Sequence, residues 1–276
     1  MNIDLKELET TLTDNIEHAI KEGKQEEALT LCDKLDNEFI AYQKTLRGIT
    51  EDTFRYFDKV FEKEQHALAQ EIKDEIKIGN FGEALKRLHR KKEQYLQTHN
   101  LWAEFIAATF SHIAKTFGED CLYQALRWTG ELRKPWWDRM KSAPLELFLK
   151  QSTFIMKYHL GKLRVEEDEE KFTLINEPCG SGGRLLQEGC YSPPKSYYLI
   201  RNAHPMTFQQ QNFPVYCAHC AVWNSLLTFE WYGHPLWVFD PPKEPDDPCR
   251  IYIYKDPKYI PEKYYRLLDK AKKPRE

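Results

Sequence analysis

Apolar residues recur at three- and four-residue spacing through the first ~160 positions, the rhythm of amphipathic helix. In "EALKRLHRKKEQYL", Leu85, Leu88, Tyr95 and Leu96 share one broad face. Gly is scarce there and Pro135 and Pro144 are the only prolines, so little interrupts a helix. Two parts of this half also match each other at an offset of 56 residues. "IEHAIKEGKQEEALTLCDKLDNEF" aligns without gaps on "IKDEIKIGNFGEALKRLHRKKEQY", placing Gly23 on Gly79, Ala28 on Ala84 and Phe39 on Tyr95. Phe54 then falls on Phe110 and Phe61 on Phe117. Such a period suits a pair of helices per repeat, about 15–64 and 71–120. Two such hairpins predict a four-helix bundle over residues 1–125.

From Lys171 the pattern changes. "KFTLI", "SYYLI", "LLTFEWYG", "LWVFD" and "RIYIYK" read as short strands, with a hairpin turn at Gly233-His234. "CAVWNSLL" reads as a short helix, and Pro261 suits the first turn of a last one. The acidic run at 165–171 reads as a solvated linker, and "DPPKEPDDPC" at 240–249 as a Pro-rich surface loop. "KPWWDRM" would dock the helical half onto the second domain through its tryptophans. The predicted fold class is α+β: a helical bundle from a duplicated hairpin over 1–162, then a smaller Cys-rich α+β domain over 171–276.

With 41% hydrophobic and 30% charged residues, the 276-residue chain has the composition of a folded protein. No apolar run approaches the ~20 residues that span a bilayer, so no membrane segment is expected. The polar start "MNIDLKELETTLTDN" lacks the regions of a secretory signal, which points to the cytoplasm. A net charge of −3 gives no reason to expect nucleic acid as a partner. A di-iron site in the bundle would need Glu three residues before His, which His18, His66, His89, His99 and His112 all lack.

The seven cysteines, an odd count, suggest thiols or metal ligands rather than a disulfide framework. In "YCAHC", the C-x-x-C spacing of Cys217 and Cys220 can aim two thiolates at one point, as zinc knuckles do. Cys179 and Cys190 would complete a zinc (or iron) cage, with His204, His219 and Cys249 as substitutes. "PCGSGGR" opens another reading. Backbone amides after Cys179 could lower its thiol pKa and cradle an oxyanion. Cys179 would then be the nucleophile, Arg184 would hold a substrate carboxylate, and His219 or His204 would move protons. Plain packing of the cysteines is the third reading.

Together, "EPCGSGGRL", "YCAHC" and "YKDP" resemble a family of uncharacterised bacterial proteins. The layout is also similar to the L-2-amino-thiazoline-4-carboxylate hydrolase-like proteins, with a helical first part and a later α/β part carrying two cysteine segments. Here Gly180 follows the first cysteine where those proteins have proline, and the second segment is Cys-Ala-His-Cys rather than Cys-x-x-Asp. The resemblance implies a small-molecule enzyme. The expected function is a metal-binding, hydrolase- or lyase-like enzyme for a small anionic molecule, with a homodimer through the helical half. The alternatives are an interaction protein stapled by structural zinc, or a thiol redox sensor working through Cys217 and Cys220.

Overall fold

The computed structural model describes residues 10–242 and 244–272. The first nine residues of the polar start, Lys243 of the Pro-rich loop and the tail 273–276 lie outside the described residues. The chain is mostly helical with a small antiparallel sheet in its C-terminal part, and it divides into two compact units, 1–92 and 93–276.

In the first unit a capping box of Thr11 and Asp14 starts α1 (Leu12–Lys21). Gly23 turns the chain with φ of +69° into α2 (Gln25–Lys77), and Gly79 turns it at +75° into α3 (Phe81–Phe117). These are the matched glycines of the sequence repeat. The four-helix bundle expected over 1–125 does not form, because α2 runs unbroken for 53 residues where two helices were expected. Its only interior breaker is Gly48, and one mid-helix glycine costs about 1 kcal/mol, too little to stop a helix. Near the Gly79 turn, Arg87 pairs with Glu71 and, at 3.2 Å, with Glu75.

The second unit begins inside α3, not at the acidic junction. The reason is a shared core. Phe110 and Ala114 of α3 pack in one cluster with α4 (Glu119–Glu131), α5 (Lys134–Lys141) and α6 (Leu145–Tyr158), through Leu126, Trp137 and Phe148. That same cluster takes in Leu174, Ile251 and Ile253 of the sheet. The sheet runs β1 (Leu163–Glu167), β2 (Lys171–Asn176), β6 (Cys249–Tyr254), β5 (Val238–Asp240), antiparallel throughout.

The acidic run is therefore not a linker. Its first residues form edge strand β1, a place that tolerates charge, and the Asp168 carboxylate accepts from the N–H groups of Glu170 and Lys171 to close the turn. "SYYLI" contributes only β3 (Leu199–Ile200), paired with β4 (Phe213–Pro214). "LLTFEWYG" is helical rather than extended. A π-helix, Cys220–Leu226, leads directly into α8 (Leu227–Tyr232), and Gly233 at φ +80° caps it instead of turning a hairpin. A short, largely apolar run fits either state; here its first residues, Leu226, Leu227 and Thr228, are buried and Glu230 is exposed. Pro261 is the residue before α9 (Glu262–Leu267). No helix among the described residues is long and apolar enough to cross a membrane.

Gly130 on α4 lets the π-helix approach. A Cβ there would overlap Leu227 Cδ1 and come within 2.7 Å of Trp223 Cδ1. Gly→Ala within a helix ordinarily gains up to about 1 kcal/mol, but overpacking costs about 1–3 kcal/mol. Gly130→Ala should therefore lower stability in urea unfolding, despite the better helix former.

Candidate functional site

The site is set by two loops that touch. The chain leaves α6 through His159 to Gly161, and it leaves β2 through Pro178 to Gly180. A Cβ on Gly180 would overlap the His159 carbonyl oxygen and lie 2.7 Å from Gly161 N; one on Gly161 would lie 2.6 Å from Pro178 O. Only glycine permits this crossing, which brings His159 and Cys179 to one place. Just beyond, α7 (Gly182–Gln187) starts, with Arg184 N–H donating to Cys179 O at 2.9 Å. The Cys179 sulfur lies 3.3 Å from Ser181 Oγ. At the matching sheet edge, Asn176 at the end of β2 stands opposite Cys249 at the start of β6.

These groups line a cavity of about 450 Å³, a size suited to a small organic molecule. Its walls are largely aromatic. Trp223 is anchored by its Nε1–H to Leu126 O at 2.8 Å, and Trp237 by its Nε1–H to Ser152 Oγ at 3.0 Å. The cation in the wall is Arg133, whose guanidinium lies 3.8 Å from the Trp223 ring centroid. Burial pulls Arg133 below its ordinary pKa, so an anion in the cavity would relieve it.

His219 and Cys220 form a thiol–imidazole pair on this wall. His219 Nδ1–H donates to Tyr216 O at 2.5 Å, so Nε2 keeps its lone pair and faces the Cys220 sulfur at 3.4 Å. Burial depresses His219 to about 4, with His159 and Arg133 adding to the fall. Burial pushes Cys220 well up, helped by Cys217, Cys249 and Cys179. The resting pair is therefore neutral, S–H donating to nitrogen. Both residues keep some accessible surface, but it faces the cavity, and protein surrounds them.

His159 is a second base in the wall. Burial, then His99, lowers it to about 4. With Asn100 Oδ1 accepting from His99 Nδ1–H at 3.1 Å, His99 Nε2 accepts from His159 Nδ1–H at 2.9 Å. That tautomer leaves His159 Nε2 basic.

Of the residues singled out in the sequence, Cys179, Cys220, His219 and Cys249 line this cavity. Cys217 joins three of them, Cys179, Cys220 and Cys249, around an adjoining void of about 40 Å³. Cys190 is not with them. The α7 helix fills the stretch after Cys179, and Cys190 packs beyond it on Ala103, Ala107 and Leu185. The expected cage of Cys179, Cys190, Cys217 and Cys220 is thus not assembled, and Cys249 stands as the fourth thiol. Among the described residues no group of three or more His, Cys, Asp or Glu is disposed to hold a metal. Arg184 is outside the cavity, paired with Glu188 and, at 3.5 Å, with Glu104. His204 caps a short helical turn, its Nδ1 accepting from Met206 N–H at 3.1 Å.

Arg133 and His159 give no signal in the sequence. Each stands at the end of a helix, and only tertiary packing turns it to the cavity. Neither a family model, nor a curated protein, nor a solved structure matches this chain. Its chemistry must follow from the site alone.

Two outcomes follow. His159 and His219 are depressed below 6.5, so the unfolded chain binds more protons between pH 6.5 and 4. Stability should be full above about pH 6.5 and fall by a few kcal/mol toward pH 4, read by urea unfolding across that range. Gly180→Ala should open the loop crossing, lowering stability by about 2 kcal/mol or more and speeding alkylation of Cys179, read by peptide mass spectrometry.

Proposed function

We propose that the cavity is the active site of a thiol-dependent, hydrolase- or lyase-like enzyme for a small anion with a flat apolar body. The observation that carries this reading is the Cys220 thiol facing His219 Nε2 at 3.4 Å inside a cavity lined by Arg133. Arg133 takes the substrate's carboxylate or other anionic group, and Trp223 and Trp237 flank its body. Cys220 attacks an electrophilic carbon as its proton passes to His219 Nε2. The bond to the leaving group breaks, and the leaving group takes that proton. In the hydrolytic case water, deprotonated by His159 or His219, releases the acid and restores the thiol. Cys179, with Ser181 beside it, is the alternative nucleophile. A reducing cytoplasm suits a site built of thiols.

A second reading keeps the metal. Cys179, Cys217, Cys220 and Cys249 surround a void of about 40 Å³, more than one water probe occupies. A zinc or iron ion held there would need these side chains to converge and lose their protons. It would also draw Cys220 away from His219, leaving the helical unit to carry an interaction function.

The test is a panel of aryl and heterocyclic carboxylates bearing thioester, amide or cyclic imine groups, followed by turnover and intact mass. Turnover or a covalent adduct on Cys220 is expected. Cys220→Ala should abolish it, His219→Gln should slow it 10²–10⁴-fold, and Arg133→Leu should raise KM about 10–100-fold. An adduct retained in Cys220→Ala and lost in Cys179→Ala moves the nucleophile. One equivalent of zinc that protects all four thiols together, with no turnover of any substrate, would replace the enzyme reading with the metal one.

A further inference from the structure

A seven-residue pattern runs along residues 28–60 of α2, distinct from the pairing at the Gly79 turn. Cys32, Phe39, Leu46, Thr53 and Val60 occupy one set of positions; Ala28, Leu35, Tyr42, Ile49 and Tyr56 occupy the other. Steps of four and three alternate without a break, which is the a and d seam of a coiled coil over more than four heptads. In the single chain this seam meets solvent from Phe39 to Val60, with those apolar side chains between 41% and 71% exposed. Only Ala28 and Leu68 are buried along the whole helix. A helix gains most of its stability from a packed face, and a strict seven-residue repeat drifts around a straight helix unless a partner holds it in a supercoil.

We propose that this seam binds a second copy of the chain as an antiparallel two-helix coiled coil about 40 Å long. The pattern is self-complementary when the helices oppose with their midpoints near residue 44. Phe39 then faces Ile49 of the second copy, Tyr42 faces Leu46, Leu35 faces Thr53 and Cys32 faces Tyr56, while Ala28, already buried in its own chain, ends the seam. Each layer joins a larger residue to a smaller one. A parallel pair would instead stack Tyr on Tyr, Phe on Phe and Thr on Thr, so that layer volumes alternate between crowded and empty. Opposed macrodipoles also favour the antiparallel sense. The exposed seam side chains offer roughly 100 Å² each, on the order of 600 Å² per copy and ~1,200 Å² in all. Leu29, also exposed, flanks the seam at the position after Ala28. The total reaches the size of a specific interface.

The test uses the full chain. Light scattering at micromolar concentration should give twice the 32.8 kDa chain mass. The double variant Leu46→Glu, Ile49→Glu places four charges in the central layers and should return the mass to that of one chain, its second unit still folded by near-ultraviolet circular dichroism. Mild oxidation of a Tyr56→Cys chain should join Cys32 of one copy to residue 56 of the other, read by peptide mapping. A monomeric wild-type chain, a dimer untouched by the glutamates, or a Cys32-to-Cys32 link would each overturn the proposal.

Discussion

The backbone crossing of residues 159–161 over 178–180 is the constraint on which the site depends. Its contacts are so close that neither Gly161 nor Gly180 has room for a side chain. The crossing ties the end of α6 to the end of β2. Through the ladder between β2 and β6 it also locates Cys249, and through the turn into α7 it locates Ser181. Four elements, one of them about 60 residues further along the chain, thus meet at one point, and a cavity of about 450 Å³ is left between them and the π-helix. The π-helix supplies the opposite wall. Its wider turn is a local departure from α geometry of a kind that recurs at functional sites, and here it carries Cys220, Trp223 and Asn224 on the cavity side.

Electrostatically the site is quiet at rest. Burial drives the imidazoles of His159 and His219 down and the thiols of Cys217, Cys220 and Cys249 up, so a neutral pair occupies the place where an ion pair would be expected of a preactivated thiol. The charge in the wall belongs to Arg133, whose guanidinium is stacked on Trp223 while the residue stays open to solvent. A cation so placed is complemented by negative charge, and the neutral pair beside it exchanges a proton more readily once water is excluded. Low dielectric strengthens every interaction formed at that moment.

The first unit has a different character. Its long helix carries one face toward the Gly79 hairpin, marked by the ion pairs of Arg87, and a second apolar face that the single chain leaves open. Glycines at matched positions of the repeat make the same left-handed turn, yet the helix between them continues where a bundle would break. A bundle needs loops. The repeat holds no proline and only one mid-helix glycine to make them.

By itself the sequence determined what depends on neighbours along the chain: the helical first half, the matched places of Gly23 and Gly79, strands β2, β5 and β6, and the concentration of thiols after residue 176. Periodicity and turn chemistry act over a few residues, so they are legible without a fold. It misread "LLTFEWYG" because so short a run of large apolar and aromatic residues fits a strand as well as a helix. It placed the domain boundary in the acidic run because local charge says nothing about which helices share a core. Only the tertiary structure decided that Cys249 rather than Cys190 joins Cys179, that Arg133 rather than Arg184 faces the cavity, and that His159 stands beside them. Those pairings join segments 20 to 120 residues apart, and they are set by a backbone crossing and a strand register that no local pattern encodes.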